Sequence, residues 1–151
     1  MLSEILIFGG NDLKKKDVSI RLVSKQSDGE NKEETELLSE GTLEATDESY
    51  TISYEETEAT GFEGSTTSLT AFGNEKVMMK RTGNVTSDLI VEIGRKQHCI
   101  YGTPYGEFSV GVTAKSIENK LSENGGSLSF HYIIDVNSCY LGDFEINIDV
   151  K

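Results

Sequence analysis

Apolar and polar residues alternate with a period of two along most of this chain, which is the pattern of strands that bury one face. The alternation is longest over residues 127–136 and 140–150. In the second of these ranges Phe144 and Ile146 share one face, whereas Glu145 lies on the other. No apolar stripe with the helical period extends beyond about one and a half turns. The chain therefore reads as an all-β protein.

Turn residues divide the alternation into short segments. The predicted strands are residues 17–26, 33–46, 50–57, 65–72, 76–82, 87–93, 97–103, 107–114, 116–122, 127–136 and 140–150. Asn124-Gly125 is a strong hairpin signal, because Asn and Gly accept the positive φ angles of a tight turn. The stretch Thr103-Pro104-Tyr105-Gly106 contains the one proline of the chain and predicts a turn between two strands, with Tyr105 beside it.

Many short strands joined by short turns predict an antiparallel up-and-down β-barrel of about 8–10 strands with little helix. Closure of the sheet removes the exposed edges that a single open sheet would leave. A two-sheet sandwich is the alternative, but few loops are long enough for its crossing connections. We interpret residues 17–151 as one barrel domain and residues 1–16 as an N-terminal extension that forms an extra strand or a short helical turn.

The charge distribution restricts the partners. The net charge is −12, and the excess lies in residues 28–63, where Lys32 is the one basic residue. A protein that binds nucleic acid needs a basic surface, and this chain offers only the short cluster at residues 14–16, so no nucleic-acid partner is expected. No apolar run is long enough to span a membrane. The apolar stretch near the N-terminus precedes its lysines, the reverse of a secretory signal, so a cytoplasmic protein is expected.

The spacing of the cysteines and histidines does not indicate a metal site. Cys99 and Cys139 lie far apart, and together with His98 and His131 they lack the close pair spacing of zinc sites. We predict no metal and no cofactor, and we interpret both cysteines as buried structural thiols.

Arg81 is the first candidate for a binding residue. It follows Val77 and Met79 on the same strand face, so it is predicted to point into the barrel near one end. A buried arginine requires a partner, and Glu55 or Glu56 could supply it. Such a pair could close the barrel structurally, or it could capture the acidic head group of a ligand. A plain surface arginine is the remaining alternative.

Four tyrosines complete the candidate pocket. Tyrosine combines a flat apolar face with a polar tip, which suits a pocket that orients its ligand, although ordinary barrel packing is the alternative. The predicted ligand-binding residues are Arg81, Tyr54, Glu56, Tyr101, Tyr105 and Tyr132. No catalytic residue is predicted, since the chain has no Gly-x-Ser-x-Gly elbow and the adjacent carboxylates Glu55 and Glu56 point to opposite faces of a strand.

Several separated blocks resemble one family in order and spacing. They are "YTISYEETEATGFEGSTTSL" (50–69), "MKRTGNV" (79–85), "YGTPYGEFSVGVTAKSIE" (101–118) and "ENGGSLSFHYIIDVN" (123–137). They are similar to the YwiB-like family of Gram-positive bacteria, a domain of unknown function. The resemblance implies a calycin-like, that is lipocalin-like, barrel and no particular activity. The first 16 residues differ from the usual family start, and Ser138 stands where the family often has glycine.

Two functions follow as hypotheses. The first is a barrel that binds a small apolar or amphipathic ligand, as calycins do. The alternative is a filled barrel that binds a partner protein through its acidic face, in a way that depends on Glu33, Glu34 and Glu36. An enzyme of unrecognised type is a weaker third reading, and a homodimer is left open.

Overall fold

The computed structural model describes residues 14–151. Within that range it contains one short 3₁₀ helix, Glu58–Thr60, and ten strands. The strands are β1 (Lys14–Ser27), β2 (Lys32–Ala45), β3 (Tyr50–Glu55), β4 (Ser65–Phe72), β5 (Lys76–Gly83), β6 (Ser87–Glu92), β7 (Gln97–Thr103), β8 (Gly106–Ser122), β9 (Gly125–Val136) and β10 (Cys139–Val150).

The ten strands form one closed barrel in which each strand pairs with the next along the chain. The last strand then pairs antiparallel with the first, with Ile148 opposite Leu22. The prediction of an all-β up-and-down barrel of 8–10 strands is therefore confirmed. No helix in the described part of the chain is long and apolar enough to cross a membrane.

Strand β8 corrects one prediction. Residues 107–114 and 116–122 were expected to form two strands, but they belong to the single strand β8. Its register against β9 shifts between Ala114 and Ser116, so Lys115 is the extra residue of a β-bulge. A bulge reverses which residues face inward without breaking the strand. Val112 before it and Ile117 after it are both buried, although their parities differ.

The predicted N-terminal extension falls mostly outside the described residues, which begin at Lys14. Its last residues, 14–16, form the start of β1 rather than a helical turn. Lys15 lies opposite Glu44 of β2. The Nζ atom of Lys14 lies 3.2 Å from Glu123 Oε1.

Because the strands alternate in direction, the turns that follow β1, β3, β5, β7 and β9 all lie at one end of the barrel, which we call the loop end. The longest of these connections is residues 56–64, which contains the 3₁₀ helix. The other connections at this end are residues 28–31, 84–86, 104–105 and 137–138. The loop end therefore brings together segments that are far apart in the chain.

The connection at residues 104–105 confirms the turn predicted around the proline. The Thr103 hydroxyl accepts a hydrogen bond from the Tyr105 amide at 3.1 Å and donates one to the Gly106 carbonyl at 3.0 Å. Gly106 has a φ of 132°, which a residue with a Cβ atom rarely adopts. Pro104 suits the first turn position because its ring fixes φ near the required value.

Buried apolar side chains fill most of the barrel interior. The residues with the least exposure include Phe130, Leu43, Ile52, Leu69, Leu89, Leu128, Ile134 and Ile148. Cys99 belongs to this core, as predicted, whereas Cys139 is exposed. The prediction that both thiols are buried is thus wrong for Cys139, because it is the first residue of β10 and follows a surface turn.

The turn between β9 and β10 holds a serine at a backbone angle that glycine adopts more easily. Asn137 and Ser138 have φ angles of 52° and 68°, and Ser138 is a residue type that rarely adopts such angles. We expect Ser138→Gly to raise the free energy of unfolding by about 0.5–1 kcal/mol. Urea denaturation measures the change. The control Ser109→Gly, at an exposed position within β8, should lower stability by a similar amount. A loss of stability in Ser138→Gly would contradict the prediction.

Candidate functional site

A cavity of about 230 Å³ lies inside the barrel at its loop end. Its walls combine apolar side chains from the strands with polar groups toward the turns. The lining residues are Leu22, Ser24, Gln26, Glu33, Thr35, Leu37, Tyr54, Glu56, Thr60, Phe62, Leu69, Met79, Arg81, Tyr101, Tyr132, Phe144 and Ile146. The cavity is far larger than the space for a single water molecule, about 10–15 Å³ on a comparable measure.

The cavity wall contains a buried hydrogen-bonded network around one ion pair. The Nη2 atom of Arg81 donates to Glu56 Oε2 at 3.2 Å. The Nε atom of Arg81 donates to the Thr67 hydroxyl at 3.0 Å, and Thr67 donates in turn to Glu56 Oε2. The Thr60 hydroxyl donates to Glu56 Oε1 at 2.8 Å. Both oxygens of the carboxylate are therefore occupied by the protein itself.

Strand register and the following loop explain how these residues meet. Arg81 on β5 lies directly opposite Thr67 on β4, so their side chains share the inner face. Glu56 immediately follows β3 and opens the long connection. In that connection the Thr57 hydroxyl caps the 3₁₀ helix by accepting a hydrogen bond from the Ala59 amide. The helix thereby brings Thr60 back toward the Glu56 carboxylate.

The same connection covers Arg81 with an aromatic ring. The guanidinium carbon lies 3.8 Å from the centre of the Phe62 ring, an arrangement that favours a cation. The side chains of Arg81 and Glu56 are only 9% and 2% exposed. The two charges are thus held out of water as a neutral pair.

The tyrosine hydroxyls around this pair remain protonated. Burial raises the pKa of the Tyr54 phenol, and the negative charge of Glu56 raises it further, although Arg81 opposes both effects. Burial likewise raises the pKa of Tyr132 and of Tyr101, again against the influence of Arg81. Around neutral pH all three phenols can therefore donate hydrogen bonds.

Five of the six predicted ligand-binding residues line this cavity. They are Arg81, Tyr54, Glu56, Tyr101 and Tyr132. Tyr105 does not line it, because it sits at the tip of the turn after β7 and is 94% exposed. Of the two proposed partners of Arg81, Glu56 makes the contact, and the exposed Glu55 does not.

Sequence reasoning missed three members of the network. Thr67 looked like an ordinary strand residue, and its role depends on a cross-strand register that alternation alone does not reveal. Thr60 and Phe62 lie in the loop, where periodicity carries no information. A lone aromatic residue between Gly61 and Gly64 was the available signal for Phe62.

The seam between β6 and β7, the strand that contributes Tyr101 to the cavity, has little regular pairing. In the described structure its ladder consists of one pair, Asp88 opposite Ile100. Side chains replace part of the missing ladder. The Ser87 hydroxyl accepts from the Gly102 amide at 2.7 Å, and the Cys99 thiol accepts from the Ile90 amide at 3.3 Å. Among the described strands, this seam has the fewest paired residues.

The acidic segment, residues 28–63, is partly neutralised on the outer surface. Glu36 contacts Arg21 of β1 through the guanidinium Nε atom. Glu44 lies 3.4 Å from the Nζ atom of Lys15. Such exposed pairs add little stability, but they reduce the negative field that an acidic docking face would need.

A broader depression of about 950 Å³ lies on the outside of the barrel, where β1, β2 and β10 meet. It includes Leu38, which is 72% exposed, and the charged residues Arg21, Glu40 and Asp149. It contains no buried charged group like those inside the barrel. The cavity inside the barrel is therefore the stronger candidate for a site.

Comparison with known proteins identifies a family for the chain and a solved structure with a similar fold. A family model described as "Domain of unknown function (DUF1934)" matches residues 20–148. The structure of this chain is similar to the crystal structure of the ywiB protein from Bacillus subtilis, with a TM-score of 0.75 and 22% sequence identity. That match covers 93% of this chain and 96% of the other. No curated protein gives a significant match.

Proposed function

Since this chain belongs to the DUF1934 family, as its resemblance to YwiB-like proteins predicted, its function has to be argued from the site, and we propose that the barrel binds a small amphipathic molecule in its loop-end cavity. The observation that carries the proposal is the cavity itself, whose wall places the buried Arg81–Glu56 pair beside apolar side chains. The phenol of Tyr132 lines the same cavity, and burial raises its pKa, so its hydroxyl is protonated and can donate a hydrogen bond there.

Buried polar groups in proteins are normally hydrogen-bonded. Tyr132 is only 3% exposed, and it lines a cavity with room for another molecule. A ligand that contributes an acceptor atom at this point would bond the hydroxyl. The ring of Tyr132 packs in the core, and its hydroxyl is available as a binding group.

The cavity walls match an amphipathic ligand. Leu22, Leu37, Met79 and Ile146 provide apolar surface, and the polar groups cluster around Arg81. Ligand pockets usually have this composition, with mostly apolar walls and a few polar groups that set orientation. The volume of about 230 Å³ lies below the range of about 300–1,000 Å³ typical for drug-sized ligands, so the ligand is small.

The acidic-face alternative receives less support. Glu33, Glu34 and Glu36 all lie on strand β2, and the ion pair of Glu36 with Arg21 of β1 reduces the free negative charge of this face. We therefore favour the interior site over the outer face.

Native mass spectrometry of protein purified from its own cells tests the proposal. Leu37 is 4% exposed and lines the cavity, whereas Leu38, the next residue of β2, is 72% exposed on the outer face. We expect wild type and Leu38→Trp to carry the same bound small molecule. Leu37→Trp should lose it because the indole ring fills the cavity.

Thermal unfolding of each variant shows whether Leu37→Trp still folds. If it does not, Met79→Phe serves as a milder substitution in the same wall. The proposal is wrong if no protein sample carries a bound molecule, or if the folded cavity-filling variant retains it at the level of Leu38→Trp.

A further inference from the structure

The polar groups at the cavity are mainly hydrogen-bond donors. Arg81 carries five N–H groups, and the protein uses one on Nε and one on Nη2. Within residues 14–151 the other three have no protein acceptor. The hydroxyls of Tyr101 and Tyr132 also lack protein partners in that range and remain able to donate. A ligand with acceptor atoms would satisfy these groups.

An anionic ligand fits this site poorly. The charge of Arg81 is already neutralised by Glu56 at 3.2 Å, so a second carboxylate would leave an uncompensated negative charge in a buried place. Glu33 also lines the cavity, and it belongs to the acidic segment at residues 28–63. The surrounding charge therefore repels an approaching anion.

A cationic ligand fits no better. The one buried carboxylate at the cavity is Glu56, and its oxygens already accept hydrogen bonds from Thr60, Thr67 and Arg81. A cation would have to displace one of these donors to reach the charge. It would also lie close to the Arg81 guanidinium and be repelled by it.

The cavity offers unused donors, and it suits neither an anion nor a cation. We therefore infer that the ligand is uncharged and presents a carbonyl or amide oxygen to Arg81 and Tyr132. This inference rests on the proposed function and specifies the class of ligand. Such an oxygen accepts from the donors that have no acceptor in the described part of the chain, and it adds no charge to the neutral Arg81–Glu56 pair.

The aromatic wall adds a preference for a flat ligand. Tyr132 stacks between Phe130 and Phe144, with ring centroids 5.9 Å and 5.4 Å apart and interplanar angles of 18° and 13°. Tyr132 and Phe144 both line the cavity. A planar molecule can lie along such a wall and keep its oxygen near the donors.

Three probes of similar shape and different charge test the inference: benzamide, benzoate and benzylammonium. We expect benzamide to bind about tenfold more tightly than either ion at neutral pH, since an ion is costly in this neutral, buried site. Titration of the isotope-labelled protein, followed by NMR, measures the three affinities. Amide signals of Thr67, Arg81 and Tyr132 should shift with benzamide.

Two variants locate the contact. Tyr132→Phe removes a hydroxyl that has no hydrogen-bond partner among residues 14–151, so it should fold normally and weaken benzamide binding by about three- to tenfold. The matched control Tyr105→Phe removes an exposed hydroxyl outside the cavity and should leave the affinity unchanged.

The inference is overturned if benzoate or benzylammonium binds as tightly as benzamide, if Tyr132→Phe has no effect, or if none of the three probes binds. The mass-spectrometric comparison of Leu37→Trp with Leu38→Trp separates these failures from failure of the proposed function. If a bound molecule is found and is lost only in Leu37→Trp, the proposed binding site stands, and only the inference that the ligand is uncharged is rejected.

Discussion

Replacement of Arg81 by methionine is expected to lower the free energy of unfolding by about 3–5 kcal/mol. The substitution keeps much of the side-chain length but leaves the Glu56 carboxylate, which is 2% exposed, without its countercharge. It also removes the hydrogen bond from Nε to Thr67. Urea denaturation followed by circular dichroism measures the loss.

The double variant Arg81→Met with Glu56→Gln is the matched control. It removes both charges, and the glutamine oxygen can still accept from Thr60 or Thr67. We expect it to be more stable than the Arg81→Met variant alone, because the penalty arises from the unpaired charge. A loss below about 1 kcal/mol in the single variant, or no recovery in the double variant, would contradict the role of the pair.

Gly102→Ala is the second substitution expected to have a large effect, with a loss of about 3 kcal/mol or more. A Cβ atom on Gly102 would overlap the carbonyl oxygen of Thr86, which is backbone and cannot move aside easily. The shift would also separate the Gly102 amide from the Ser87 hydroxyl, now 2.7 Å away. Since this contact helps to hold the sparsely paired seam between β6 and β7, the seam should open.

Gly106→Ala, four residues further on, is the control. It has no atom within 4 Å of an added Cβ, so its cost comes only from its φ of 132° and should be about 1–2 kcal/mol. Hydrogen exchange of the β6 and β7 amides should increase in Gly102→Ala and much less in Gly106→Ala. Equal behaviour of the two variants would show that steric contact with Thr86 is unimportant.

The fold could be predicted because alternation reports directly which strand face is buried. The strand that contains Phe144 and Ile146 could be predicted for this reason. The short turns favoured an up-and-down sheet, and closure of that sheet into a barrel removes its exposed edges. The bulge at Lys115 was not evident, because a change of parity within one strand looks the same as the end of one strand and the start of another. Strand β1 begins at Lys14, earlier than the predicted start at residue 17, because the lysines before Asp17 show no apolar alternation.

The site could be predicted only in part, and the limit has a physical cause. The inward direction of Arg81 followed from its parity with Met79, and a carboxylate partner followed from the cost of a buried charge. The contributions of Thr60 and Phe62 depend on how the loop at residues 56–64 folds over the barrel, which is decided by tertiary contacts. The exposed position of Tyr105 follows from the direction of a tight turn, which composition does not specify.

The pairing of the first strand with the last has a consequence for the kinetics of folding. Leu22 meets Ile148 across this join, so closure requires contact between segments separated by most of the chain. Contacts so distant in sequence slow folding relative to helical proteins of similar length. Until they form, β1 and β10 each present an unpaired edge, and a partly folded chain can associate with others through those edges. The same join that leaves the native barrel without an edge therefore makes its assembly the step most exposed to aggregation.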